Sequence, residues 1–307
     1  MMDAVTQVVV WLNAAADAVG CRLLAPIAWT PAWLSTTVVG AVTGVVMLVI
    51  FKYTSNQRAI KRVRDGISAD LLAVKLFKDS PAVALGAQGR LLLGAGRLLL
   101  LALIPMAVMI VPVTLLLGQL SLWYEKRPLA VGAEAVVTVR LGGPADAPYP
   151  KVSLQAPDGV EDLAGPIRVR TDAGRELWWN VQAKAPGYHR LTFLVDGQPV
   201  EKELAAGDGF MRVSPTRPGW SWFDALLHPS EQPFGRNSAV QGIEIDYAGR
   251  DSLPGADESW PTCLYSWPMR GAGWLRDRIG VPGWMIYWFA VSLVVGLCFS
   301  RVLKVNI

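Results

Sequence analysis

Two histidines, three cysteines and one strand-borne acidic pair are the side chains whose types could do chemistry, and their spacing argues against catalysis. His189 follows a tyrosine at a strand start and His228 ends a Trp-rich segment; neither has a Cys or His at metal-ligand spacing. Glu244 and Asp246 share one face of an alternating segment. They could act as a general acid–base pair, but edge-strand solubility explains the same carboxylates. Nucleophile elbow, zinc-helix, phosphate-loop and dinucleotide motifs do not occur. The expectation is a non-enzymatic chain with no catalytic residue, no cofactor and no metal.

The elements around these residues read as membrane protein. The chain is 52% hydrophobic and 18% charged, with a mean hydropathy of +0.33. Residues 23–51, 98–122 and 279–300 carry no charge. Between the first two, residues 52–97 hold nine Lys/Arg against three Asp/Glu. The positive-inside rule places that loop in the cytoplasm. Spans at 33–53, 98–122 and 279–300 then put the N-terminus and residues 128–278 outside, and the basic tail 301–307 inside. A bacterial inner membrane suits this arrangement. Residues 125–278 hold seventeen basic and twenty acidic residues. The pI near 9.0 therefore reflects topology, and DNA is not an expected partner.

Residues 1–32 lack a basic n-region, so they read as a retained segment and not a signal peptide. Val5, Val8, Val9, Leu12, Ala16 and Val19 recur at helical spacing, which predicts an amphipathic helix on the outer membrane face. Trp29 and Trp33 follow as interfacial anchors. Cys21 and Cys263 both fall outside, where an oxidising compartment would permit a disulfide; Cys298 is a packing residue of the third span.

The basic loop, residues 54–97, reads as a coiled-coil helical hairpin. Ile60, Val63, Ile67, Leu71 and Val74 are spaced 3, 4, 4 and 3, the seam of a helix that pairs with another. Asp79, Ser80 and Pro81 end it and start a second helix, which runs without a break signal into the second span. Its Lys and Arg residues either solvate the hairpin or touch lipid headgroups or an anionic partner such as the ribosome.

Residues 128–215 change to short alternating segments bounded by Gly, Pro and Asp. About seven candidate strands, with Asp196-Gly197 as a hairpin turn, predict an all-β sandwich. Pro186, Gly187 and Tyr188 resemble the corner of an immunoglobulin-like domain. The fold class is thus membrane α-helical with an extracytoplasmic Ig-like sandwich. Residues 216–278 are a Trp-, Pro- and Gly-rich segment in which 222–227 suggests a short helix and 243–247 an extra strand.

Span, cytoplasmic hairpin, span and a later third span, N-out and C-in, resemble the YidC/Oxa-type membrane insertase superfamily, in its three-span branch with the insertase subunit of the ER membrane complex. The resemblance covers residues 33–120 and 279–304 and rests on topology and the hairpin. It implies a hydrophilic groove open to the cytoplasm that eases polar segments into the bilayer, with the hairpin capturing clients or the ribosome. The basic residue that many members place in the groove has no clear counterpart; Arg97, at the membrane edge, is nearest.

Two readings follow. In the first, an insertase or membrane-chaperone scaffold, Asn56, Gln57, Arg58, Gln88 and Arg97 line the cytoplasmic mouth of the groove. In the second, an accessory subunit of a larger membrane complex, Gly40 and Gly44 form a helix-packing face. Trp220, Trp222, Trp260, Trp267 and Trp274 then form the outer docking surface. The partners are the bilayer and other membrane proteins, as clients or as subunits.

Overall fold

Among the described residues, four helices are long and apolar enough to cross a membrane: Asp3–Leu23, Leu34–Thr54, Gly86–Tyr124 and Gly283–Val302. They belong to a computed structural model that describes residues 2–26, 30, 32–76, 81–144, 146–171, 174–208, 210–250 and 280–303. The chain divides into two compact units. One is Met1–Ser35 with Thr114–Trp284, and the other is Thr36–Val113 with Met285–Ile307.

The helical unit is built from α3 (Gln57–Leu76) and most of α2 (Ala32–Thr54), α4 (Pro81–Tyr124) and α6 (Gly283–Val302). A two-residue break separates α2 from α3, and the Asn56 Oδ1 accepts from the Ala59 N–H at 3.1 Å, capping α3. Proline at the first position suits the start of α4, where its missing N–H is not needed. The helix then runs unbroken for 44 residues through Pro105 and Pro112. Hairpin arm and second apolar stretch therefore belong to one continuous helix.

The β-domain has two antiparallel sheets in the orders β3-β4-β1-β8-β7 and β2-β5-β6. Its strands are β1 (Glu134–Leu141), β2 (Val152–Gln155), β3 (Val160–Thr171), β4 (Gly174–Ala183), β5 (Gly187–Val195), β6 (Gln198–Ala206), β7 (Thr216–Arg217) and β8 (Val240–Ile245). Strict alternation builds the core: Val137 and Val139 from β1 and Leu177, Trp179 and Val181 from β4 meet Leu191, Phe193 and Leu204 of the other sheet. Trp179 meets Phe193 edge-on at 5.1 Å between ring centroids. Its neighbour Trp178 is on the exposed face. Asp196 and Gly197 both have positive φ, 48° and 84°, the backbone that a two-residue hairpin between right-twisted strands requires.

The sandwich does not close at residue 215. β8 pairs with β1 in the middle of the larger sheet, so the domain takes in most of the stretch that has no sustained periodicity. Its two chain ends are stitched side by side, with the Arg127 N–H donating to the Ala248 carbonyl at 3.0 Å and the Arg250 N–H to the Glu125 carbonyl at 2.8 Å. A strand of six residues assembled from distant sequence needs its partners to exist, which is why its periodicity alone is weak.

The N-terminal helix α1 (Met2–Leu23) brings the number of candidate crossings to four, where three were expected. A Val- and Ala-rich helix with two acids and one arginine passes any compositional test for a span. Its polar residues distinguish it. Asp3, Asn13 and Asp17 fall within roughly 80° on a wheel of 3.6 residues per turn, and all three are engaged by the β-domain. Arg236 Nη1 donates to Asp3 Oδ2 at 2.6 Å and Trp220 Nε1 to Asp3 Oδ1 at 3.2 Å. Asn13 Nδ2 donates to the Ala225 carbonyl, and Arg212 Nη2 pairs with Asp17 Oδ1 at 2.9 Å.

Candidate functional site: an apolar groove, an exposed hairpin and a buried lysine

The Gly40 and Gly44 face of α2 is occupied by the chain's own α6. A Cβ on Gly40 would lie 3.2 Å from Val291 Cγ1 and 3.3 Å from the Trp288 carbonyl oxygen, and one on Gly44 would fall on the Ser292 carbonyl oxygen. Ser292 Oγ donates to the Gly40 carbonyl at 2.9 Å, and Thr37 Oγ1 shares a hydrogen bond of 2.6 Å with the Tyr287 hydroxyl. Small residues thus allow the backbones to touch, and hydroxyls add glue where lipid offers none.

Beside this contact a groove of about 340 Å³ opens between α2, α4 and α6, lined by Met47, Phe51, Met109, Val113, Trp288 and Leu297 among others. It is apolar. Its two hydroxyl residues are turned to backbone carbonyls, Thr43 Oγ1 to Val39 at 2.7 Å and Ser292 Oγ to Gly40. The hydrophilic groove implied by the insertase resemblance is therefore not what these three helices build. Polar side chains in a bilayer are satisfied by backbone carbonyls of their own helix, as for Thr43, or of a neighbouring one, as for Ser292.

The hairpin arms meet at Ile67 and Gly94, where a Cβ would lie 2.8 Å from Ile67 Cγ1, and at an Asp70–Arg90 ion pair of 2.8 Å. Ile60 is buried, whereas Leu71 of the expected seam is exposed. Leu72, Leu76, Leu92 and Leu93 are exposed with it, Leu76 by 73% and Leu92 by 76%. Of the proposed groove-mouth residues, Asn56 caps α3 and Gln57 donates to Ser55 Oγ at 2.5 Å. Both shape the elbow. Arg58, Gln88 and Arg97 are exposed. Gln88 and Arg97 stand nine positions apart on α4, about 14 Å at 1.5 Å per residue, so one small site does not hold both.

In the β-domain the expected outer tryptophans divide. Trp220 binds Asp3. Trp222 opens the short helix α5 (Trp222–Leu227), capped by Ser221, and packs edge-on against Phe223 at 5.7 Å. Trp260, Trp267 and Trp274 lie outside the described residues, as does Cys263 and with it the proposed pairing with Cys21. The corner tyrosine, Tyr188, accepts from the Arg212 N–H at 3.1 Å, a tie to a later segment of the chain.

The most unusual chemistry is a lysine at an inward position of β6. Lys202 has no exposed side-chain surface. Its Nζ donates to the Ser214 carbonyl at 2.7 Å, to Ser214 Oγ at 3.2 Å and to Glu231. Ser214 Oγ in turn bonds Ser230 Oγ at 2.6 Å and Glu231 Oε1 at 2.5 Å. Burial pushes the ammonium below its ordinary pKa and Glu231 opposes that shift. A serine beside a buried lysine has the composition of a nucleophile and base. Here Ser214 is 1% exposed and its hydroxyl serves the carboxylate, so the arrangement is that of a structural clamp. The sequence signal was available: Val200, Lys202 and Leu204 share one face of an alternating strand, so the lysine had to be inside.

Among the described residues no group of three or more His, Cys, Asp or Glu could hold a metal ion. Comparison of the chain with protein-family models, curated proteins and solved structures returns no match. The membrane character of the chain therefore stands on its helices, and its function on the geometry above.

Proposed function

We propose that this integral membrane protein is a non-enzymatic scaffold of the insertase or membrane-chaperone type. Three helices cross the membrane, the hairpin and C-terminus are cytoplasmic, and α1 with the β-domain is extracytoplasmic. The observation that carries this reading is the hairpin. Its leucines at 71, 72, 76, 92 and 93 are exposed on arms that also expose Arg58, Lys61, Arg62 and Arg90. Several large apolar side chains exposed on a water-facing element suit the binding of another apolar segment, and the basic residues hold the arms at an anionic headgroup layer. Clients would be small membrane proteins held at the bilayer before they enter it. The outer domain reads as Ig-like. The order of β1 to β6 in the two sheets is that of strands B to G of a constant-type domain, and β8 lies beside β1 as strand A would, with the two-residue β7 added outside it. Depletion of the protein should lower membrane insertion of small client proteins, and a photocrosslinker at Leu72 should capture them during synthesis. Normal insertion in depleted membranes would refute the reading.

The apolar groove favours a second reading, an accessory subunit of a larger membrane complex. A groove whose hydroxyls are internally bonded gives no polar path for a client. Since Gly40 and Gly44 are taken by α6, docking would use Trp222 and Phe223 outside and the hairpin inside. Purification in mild detergent should then bring down stoichiometric partners, and a monodisperse monomer would count against it.

A further inference from the structure

We infer that α1 is a two-faced adaptor: its polar face holds the β-domain, and its opposite face is seated in the outer leaflet of the bilayer, which fixes that domain at the membrane surface. The inference deepens the reading above, since it rests on the extracytoplasmic placement of α1. What the β-domain leaves uncovered is the starting point. Val5, Val8, Trp11, Val19 and Leu23 are exposed and fall within roughly 120° of the helical wheel, centred opposite to Asp3, Asn13 and Asp17. Asp17 is the one charge between Asp3 and Arg22, and it is paired with Arg212 on the domain side. The stripe therefore runs about 27 Å, at 1.5 Å per residue, with no charge before Arg22 in its last turn. Such a helix is inverted, polar side in and apolar side out. In water that arrangement leaves large apolar side chains hydrated, whereas a leaflet takes them up.

Depth decides the occupant. A Cβ on Gly20 would lie 2.9 Å from Gln119 Oε1, so the last turns of α1 pack on the outer end of α4. Gln119 is three residues inside the end of the charge-free run 98–122, about 4.5 Å at 1.5 Å per residue. Residues 24–31 then join α1 to α2, a reach of at most about 30 Å even when fully extended. The other end of α1 is held by the β-domain: Arg236 and Trp220, from the segment between β7 and β8, both bind Asp3. The helix therefore leaves α4 at the outer boundary and does not run down beside it. With the domain on one side, the stripe on the other continues the lipid-facing surface of the spans. Arg22 stands where a long side chain reaches headgroups while its stem stays among apolar neighbours. Trp11, 69% exposed, supplies the aromatic ring that membrane boundaries favour.

Nitroxide labels on single cysteines test this, in the full chain with Cys21, Cys263 and Cys298 replaced by serine and held in nanodiscs of phosphatidylglycerol and phosphatidylcholine. Labels at Val8→Cys and Val19→Cys should collide more with oxygen than with a water-soluble nickel chelate, at a shared depth of about 5–10 Å below the headgroup boundary. Gln7→Cys, about 100° round the helix from the centre of the stripe, and Lys151→Cys on the β-domain should favour the chelate. Chelate contact at both Val8 and Val19 would put the stripe in water and overturn the inference, with α1 still outside. Exclusion of both reagents would overturn it too, because a second copy or a partner protein would then cover the stripe. A depth differing by about 17 Å between the two labels, eleven residues at 1.5 Å each, would mean a crossing helix and would refute the extracytoplasmic placement as well. Val8, Val19 and Gln7 are all exposed, so the labels disturb no packed core.

Discussion

Replacing Lys202 by methionine keeps the buried aliphatic stem and removes only the ammonium, so it isolates the electrostatic part of the clamp. Three acceptors lose their donor together: the Ser214 carbonyl, Ser214 Oγ and Glu231. The lysine side chain is wholly buried and that of Glu231 is 16% exposed, so water can reach the carboxylate only in part. Removing one member of a buried pair costs about 3–5 kcal/mol, and the residual exposure of Glu231 places this case near 3. At about 4 °C per kcal/mol for a domain of this size, the thermal transition of the β-domain should fall by roughly 12 °C. The assay is unfolding of the detergent-solubilised chain followed by tryptophan fluorescence, to which the buried Trp179 contributes. The double variant Lys202→Met with Glu231→Gln leaves no buried charge and should recover most of the loss, to within about 1 kcal/mol of the unaltered protein. A single variant within 1 kcal/mol of the unaltered chain would refute the clamp, as would a double variant no more stable than the single one.

In the helical unit, Gly44→Ala sets a methyl against the Ser292 backbone, which cannot yield like a side chain. It should cost about 1–3 kcal/mol in mixed-micelle unfolding, and Gly40→Ala, whose neighbours lie at 3.2–3.3 Å, under about 1; equal effects would contradict the packing. Burial holds the His228 pKa below its ordinary value, against the pull of Asp224 and Glu244. The unfolded chain therefore takes up this proton first, and stability present above pH 6.5 is lost as pH falls below it. His228→Asn, which suits a helix end, should flatten that loss between pH 7.5 and pH 5. An unchanged pH profile would remove His228 as its source.

Strong periodic signals explain what could be read from the residues. The charge-free runs and the basic loop between them expose the apolar helices, because a bilayer crossing demands about twenty predominantly apolar residues. Alternation along 134–141 and 174–183 exposes the inner sheet strands, and it separates Trp179 from Trp178. Elements that depend on distant partners were less visible. β7 has two residues and makes sense only beside β8. The destination of α1 turns on bonds from Asp3, Asn13 and Asp17 to residues more than 190 positions away, and composition reads the same helix as a span. The hydrophilic groove was an expectation borrowed from a resemblance, and the helices around Met47 and Val113 give an apolar one. Lys202 was legible by its place between Val200 and Leu204, although only the fold shows Ser214 and Glu231 around it.

Side-specific labelling of single cysteines in intact cells tests the central claim most directly. In a chain whose Cys21, Cys263 and Cys298 are replaced by serine, cysteines at Gln7, Arg64 and Lys151 report on α1, the hairpin and the β-domain. Gln7 and Lys151 are exposed and Arg64 is partly exposed in the fold. An impermeant maleimide should label Gln7→Cys and Lys151→Cys from outside, and Arg64→Cys only after permeabilisation. Protection of Gln7→Cys until permeabilisation would mean that α1 crosses the membrane as a fourth span, contradicting its place on the outer domain.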